Sequence, residues 1–133
     1  MSLVTIKQAK ELRDLGFVGP TMRHAYSFDK KHYKLQHVRV LTTNVCANVL
    51  CVPTVDEAID FIRKKYNIII YNRIAPFVGE KTHKIYYSYA VKYCNKLWGW
   101  NHREYIGSSN TSANIYAMKR SAITIAIRYI KKR

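Results

Sequence analysis

The chain reads as α+β, a small domain in which an antiparallel sheet carries about three helices and a long C-terminal helix packs on the sheet. Three observations predict this. Two segments open with a Thr-x-x-Gln or Thr-x-x-Glu capping box and continue with apolar residues at helical spacing. The stretch from Lys84 to Tyr93 alternates strictly, as a half-buried strand does. The C-terminal stretch pairs a run of cap-forming residues with a broad apolar helical face. With 133 residues, 48% of them apolar, the expectation is one domain, 1–133, whose core needs neither metal nor disulfide.

Thr5 and Gln8 predict the start of the first helix, because each side chain satisfies a backbone donor left over by the first turn. Ile6, Ala9, Leu12 and Leu15 share one face, and Gly16 is placed to end the helix in a left-handed conformation. Gly19-Pro20 blocks continuation. Met22–Phe28 then reads as a strand turned at Asp29, Lys30 and Lys31, with Tyr33–Leu41 returning as its partner. The run from Val45 to Val52 fits a third strand or an inward-folded loop.

The second helix is predicted from Val55, with Thr54 as cap, Glu57 completing the box and Asp56 near the positive end of the dipole. Ala58, Ile59, Ile62 and Tyr66 form its stripe, with Phe61 beside it, and Arg63, Lys64 and Lys65 sit where cations favour a helix end. Asn67 ends it. Ile68-Ile69-Ile70-Tyr71 is β-branched and continuous, which predicts a buried strand, and Asn72–Thr82 reads as irregular. In the alternating strand, Ile85, Tyr87, Tyr89, Val91 and Tyr93 share one face, while Lys84, Tyr86, Ser88, Ala90 and Lys92 share the other. Asn95-Lys96 is expected at a hairpin tip, with Leu97–Tyr105 pairing back. The last helix begins among Ser108, Ser109, Asn110, Thr111 and Ser112. Ile115, Met118, Ala122, Ile125 and Tyr129 form its face, widened by Ile123, Ala126, Ile127 and Ile130.

Charge is the strongest functional signal. Lys and Arg number 23 against eight acids, a net +15, well beyond what solubility favours. The excess is uneven: residues 1–66 hold eleven basic and six acidic residues, and residues 67–133 hold twelve and two. Such a chain is expected to dock on a polyanion, nucleic acid, an acidic protein surface or an anionic membrane, rather than to turn over a substrate. No apolar leader opens it, since Lys7, Lys10 and Glu11 interrupt any such run, and Cys46, Cys51 and Cys94 are odd in number. An intracellular, reduced protein not secreted through a signal peptide is the expectation. The apolar runs Val45–Val52 and Ala122–Ile127 fall far short of the ~20 residues of a membrane span.

A nucleic-acid surface needs cations for phosphates and, for single strands, flat rings on which bases stack. The face of Lys84, Tyr86 and Lys92 offers both, and the neighbouring strand adds Trp98, Trp100 and Arg103. The same tyrosine alternation also serves ordinary cross-strand pairing. At the carboxyl end, Arg128, Lys131, Lys132 and Arg133, together with Lys119 and Arg120, are set to grip phosphates, although basic residues there also complement the helix dipole. Other chemistries lack their constellations. His32 and His37, and Cys46 and Cys51, are each five apart, which is not zinc-knuckle spacing, so no metal or cofactor is expected. Gly79-Glu80-Lys81-Thr82 echoes a phosphate-binding loop without its first glycine and reads as an exposed turn. Cys94 with His83 or His102 has no activating third group, which argues against an enzyme.

Two stretches, Thr5–Phe17 and Val52–Ile68, resemble short proteins encoded by Bacteroides phages and prophages. Those proteins pair a small helix ending in Gly-Phe, here Gly16-Phe17, with a Pro-Thr-capped helix, here Pro53-Thr54, and a following strand. They close with an alanine-rich helix, to which Ala117, Ala122 and Ala126 correspond. The chain departs from them in carrying Phe61 where Trp is usual and a basic last helix where an acidic one is common. The resemblance implies a setting, the bacterial host cytoplasm or a phage virion; joined to the charge, it makes the expectation a basic accessory protein, or a virion component with virion neighbours or copies of itself as partners. An inhibitor of a host protein fits the same setting. It implies no catalytic or binding residue.

Overall fold

The structure, a computed structural model, describes residues 2–21, 23–27, 29, 31–36, 48–74, 77–81, 83–95 and 102–132, with the backbone alone for 95, 102 and 103. It is α+β, with three helices and small antiparallel sheets among the described residues. The chain forms two compact units, Met1–Ala58 and Ile59–Arg133.

In the first unit, α1 (Ile6–Asp14) starts as its sequence dictates. The Gln8 amide donates to Thr5 Oγ1 at 3.1 Å and the Thr5 amide donates to Gln8 Oε1 at 3.2 Å, an arrangement worth about 1 kcal/mol. The helix ends as expected too. Gly16 has φ 102°, and the Gly16 and Phe17 amides donate back to the Arg13 and Leu12 carbonyls at 3.0 and 2.9 Å. This is a Schellman close, with Leu12 and Phe17 both buried.

Three short strands follow: β1 (His24–Tyr26), β2 (Lys34–Leu35) and β3 (Val49–Cys51), in the order β2-β1-β3, all antiparallel. The expected first hairpin is therefore present at its centre, and the Val45–Val52 run does supply a strand. Met22, Phe28 and residues 37–47, which carried the outer parts of these readings, lie outside the described residues. β3 packs against α1, and Leu12, Leu50, Cys51, Val52 and Val55 are all fully buried.

The turn between β1 and β2 is built on Asp29. Its Oδ1 accepts from the Lys31 and His32 amides at 2.9 Å each and from the Ser27 hydroxyl at 2.7 Å, while Oδ2 meets His32 Nδ1 at 2.7 Å. The His32 backbone N–H first, then its ring, hold the Asp29 carboxyl well below the usual carboxylate range. A carboxyl depressed in the folded state stabilises the turn above the unfolded pKa and loses that contribution as pH falls through the folded one. In an acid titration followed by NMR, the Lys31 and His32 amides should hold their native shifts below pH ~3.9, the ordinary Asp value. Movement at that ordinary value would contradict the assignment.

Helix α2 (Val55–Tyr66) opens with the second capping box, its amide–side-chain bonds at 3.0 and 3.1 Å between Thr54 and Glu57. Asn67, at φ 56°, closes it by donating to the Arg63 carbonyl.

The second unit is organised by a sheet of order β4-β7-β8: β4 (Ile68–Asn72), β7 (Tyr89–Asn95) and β8 (His102–Ser108). Helix α3 (Ile115–Lys132) packs on it against all three strands. β4 is not the fully buried strand its composition predicts. Only Ile68 is buried, and Ile69, Ile70 and Tyr71 are half-buried, because β4 is an edge strand. Asn95 is still paired, with His102, so the reversal expected at Asn95-Lys96 lies beyond Asn95. Residues 96–101, including that Lys96 and the start of the Leu97–Tyr105 reading, are outside the described residues. The β7–β8 register shifts between Val91 and Lys92, where Gly107 pairs with Val91 and Tyr105 with Lys92, leaving Ile106 as an extra residue.

The long strand expected from Lys84 to Tyr93 is broken. β5 (Phe77–Val78), in the stretch read as irregular, pairs with β6 (Ile85–Tyr86) as a separate two-stranded ribbon. Tyr87 then exchanges hydrogen bonds with Ser112, and the Ser88 carbonyl accepts from the Arg73 amide at 2.8 Å, before β7 begins. Each segment has a different partner, so the alternation in sequence does not define one continuous face. Ser88 and Ala90, expected on the solvent side, are fully buried, and Ile85, expected inside, is 48% exposed.

The final helix starts three residues later than the cap-rich run suggests. Asn114 is the cap, its Oδ1 accepting from the Ala117 amide at 3.0 Å. Ser109 and Ser112 instead bind the backbone of Tyr89 and Tyr87. The centre of the buried face is Ala122, read on the main face, with Ile123, Ala126 and Ile127, read as its margin, while Ile115, Met118, Ile125 and Tyr129 flank it. Gly107 of β8 lets the helix come close. A Cβ there would stand 3.1 Å from Ile125 Cγ2. Gly107→Val should therefore cost roughly 1–3 kcal/mol through overpacking, read as a lower urea midpoint. An unchanged midpoint would show that the helix is not held against β8.

Candidate nucleic-acid interface

The cations concentrate in one unit. Residues 59–133 carry fifteen Lys and Arg against three acids, Asp60, Glu80 and Glu104, a net +12, whereas residues 1–58 carry eight against five. Asp60 is engaged by Arg63 and Lys64 at 2.8 Å each, and hydrogen bonds from Lys64 and then Arg63 hold its carboxyl below the usual range. Glu104 accepts from the Tyr129 hydroxyl at 3.3 Å.

Helix α3 supplies the first surface. The sheet side of the helix is fixed by Ala122, Ile123, Ala126 and Ile127. At 3.6 residues per turn, Arg120, Arg128, Lys131 and Lys132 fall a quarter turn or more away from that side. Arg128, Lys131 and Lys132 are exposed and Arg120 is half-buried. Not one of the eighteen residues is acidic. Dipole complementation explains the cations of the last turn, but Arg120 lies in the second turn, where it does not act. Between the cations sit Ala117, Ser121 and Thr124, side chains short enough to let a phosphate backbone come close. Lys119 belongs elsewhere, its Nζ lying 5.8 Å from the Tyr89 ring centre and 5.6 Å from that of Tyr116.

The opposite face of the sheet supplies the second surface. Tyr93 meets Tyr129 with ring centres 6.1 Å apart, so its side of β7 faces α3 and Lys92 lies on the other. Lys92 pairs with Ile69 on one flank and Tyr105 on the other, and its Nζ lies 5.1 Å from the centre of the Tyr71 ring. Tyr105 is 57% exposed. The Arg103 backbone pairs with Cys94. Lys92 is thus flanked by Tyr71 and Tyr105, which the sequence reading did not single out.

Lys84 and Tyr86 are not part of this face. They belong to the β5–β6 ribbon, where Tyr86 stacks on Phe77 with ring centres 5.5 Å apart. The sequence-read residues therefore divide among a helix face, a sheet face and a ribbon, rather than one patch. Trp98, Trp100 and Arg133 lie outside the described residues.

The catalytic and metal candidates gather no site. Cys51 is buried, and burial pushes its thiol pKa up, away from reactivity. The His102 backbone pairs with that of Asn95, and Cys94 pairs with Arg103. No three His, Cys, Asp or Glu converge among the described residues, and His37 and Cys46 are outside them. Gly79 begins the turn joining β5 and β6, its amide donating to the Lys84 carbonyl at 2.9 Å, with Glu80 and Lys81 exposed. No helix among the described residues is long and apolar enough to cross a membrane. No family model, curated protein or solved structure matches the chain.

Proposed function

We propose that the chain is a small, non-enzymatic accessory protein of phage type that docks on nucleic acid without sequence specificity, in the host cytoplasm or a virion. The observation that carries this is the acid-free outer face of α3, with Arg120 mid-helix and Arg128, Lys131 and Lys132 beyond it, in a unit of net charge +12. Arg120 and Lys131 are separated by about 16 Å along the axis at 1.5 Å per residue. That is roughly five base-pair steps of 3.4 Å, enough for several phosphates of one strand.

Phosphate contacts give affinity and position without reading sequence. The helix carries no Asn or Gln for the edge of adenine, and in the proposed mode its Arg and Lys side chains go to phosphates. Tyr105, Tyr71 and Lys92 on the far side of the sheet would add stacking and charge for an unpaired strand. The experiment is recovery of the full chain from expressing cells with and without nuclease. Nucleic acid that copurifies and is lost after nuclease supports the proposal. A stoichiometric protein partner that survives nuclease would replace it with the virion-component or inhibitor reading.

A further inference from the structure

We propose that the β5–β6 ribbon is a second, separate docking element, one that seats on an anionic phospholipid surface. Of the eight large hydrophobic residues exposed among the described residues, four lie in or beside this ribbon: Ile74, 41% exposed, Phe77, 44%, Val78, 60%, and Ile85, 48%. Scattered singly they would mean nothing, but a concentration of this kind marks an interaction surface. The register divides them. Phe77 opposes Tyr86 on one face and Val78 opposes Ile85 on the other, so both faces of the ribbon are apolar and both meet solvent. No third strand among the described residues pairs with either one, and a two-stranded ribbon is marginal in water by itself.

The chemistry of the surroundings selects the occupant. Exposed Arg73, Lys81 and Lys84 flank the ribbon against one acid, Glu80, so the partner is anionic. Nucleic acid fits poorly, because Ile74, Val78 and Ile85 offer no ring for a base to stack on and the Phe77 and Tyr86 rings already stack on each other. A second copy of a +15 chain is opposed by charge. A lipid interface wets both faces of a thin ribbon at once, takes Phe and Tyr at headgroup depth and draws the flanking cations to its phosphates. At that level water and headgroups can satisfy backbone N–H and C=O groups, which hydrocarbon cannot, so the ribbon stays at the interface and out of the hydrocarbon.

The test is co-sedimentation of the full chain with vesicles of phosphatidylglycerol and phosphatidylcholine in equal parts, against phosphatidylcholine alone. Binding to the anionic vesicles is expected, with a part that persists in high salt. Val78→Ser with Ile85→Ser should weaken it about tenfold, with duplex DNA binding unchanged. Ile74→Ser, outside the paired strands, should weaken it in the same direction, so the result does not rest on the ribbon's own stability. Absence of anionic-vesicle binding, or vesicle binding that both sets of substitutions leave intact, would overturn the proposal. Equal losses of vesicle and DNA binding would overturn it as well, by making the ribbon part of one general surface.

Discussion

Replacing Arg120, Arg128, Lys131 and Lys132 together by Gln is expected to lower affinity for duplex DNA in low salt by on the order of a thousandfold. Gln has nearly the helix propensity of Lys and Arg, and Arg128, Lys131 and Lys132 are exposed, so the helix is kept. The physical cause is counterion release. Each phosphate neutralised frees condensed cations, and each cation removed from the protein forfeits that gain and flattens the salt dependence by ~0.9 in slope. The control is Arg63→Gln with Lys64→Gln. Those two cations already pair with Asp60, and their loss should change affinity far less. Equal effects of the two sets would mean that total charge, and not the α3 face, sets binding.

The second large effect concerns the core that holds that face in place. Ile127 is 1% exposed and Ile123 fully buried, between helix and sheet. Ile127→Ala deletes three buried carbons where the sheet leaves little room to collapse, and should cost about 2–5 kcal/mol, a large part of the roughly 5–15 kcal/mol that holds a domain folded. Ile130→Ala, at a half-buried position nearer the end, should cost less. Urea unfolding followed by circular dichroism reads both. A loss under about 1 kcal/mol at Ile127 would mean that α3 is not packed as described, and its outer face would then not be a fixed one.

Features decided by neighbouring residues were legible in the sequence. Both capping boxes, the Gly16 close and the Asn67 end depend on side chains three or four positions apart, and each is formed as its residues dictate. The α3 cations were legible for the same reason, since helical spacing fixes which side of the helix they take. What depends on partners distant in the chain was not. Alternation from Lys84 to Tyr93 gave no sign that β6 pairs with β5 while β7 pairs with β4 and β8, because every segment keeps period two whatever it pairs with. Tyr71 reaches Lys92 through the β4–β7 register and Tyr105 through the β7–β8 register with its bulge at Ile106, and no local signal announces either. Asn114 was visible as a cap type but was overshadowed by five earlier ones, two of which, Ser109 and Ser112, were needed by the strand.

The central claim is that the surplus cations of the second unit form a surface for phosphates, and the salt dependence of duplex DNA binding tests it most directly. A plot of log affinity against log salt should be linear and steep, with a slope near −3 to −4 if the four outer cations of α3 each neutralise one phosphate. It should be the same for unrelated sequences. A flat plot, or affinity confined to one sequence, would contradict the account.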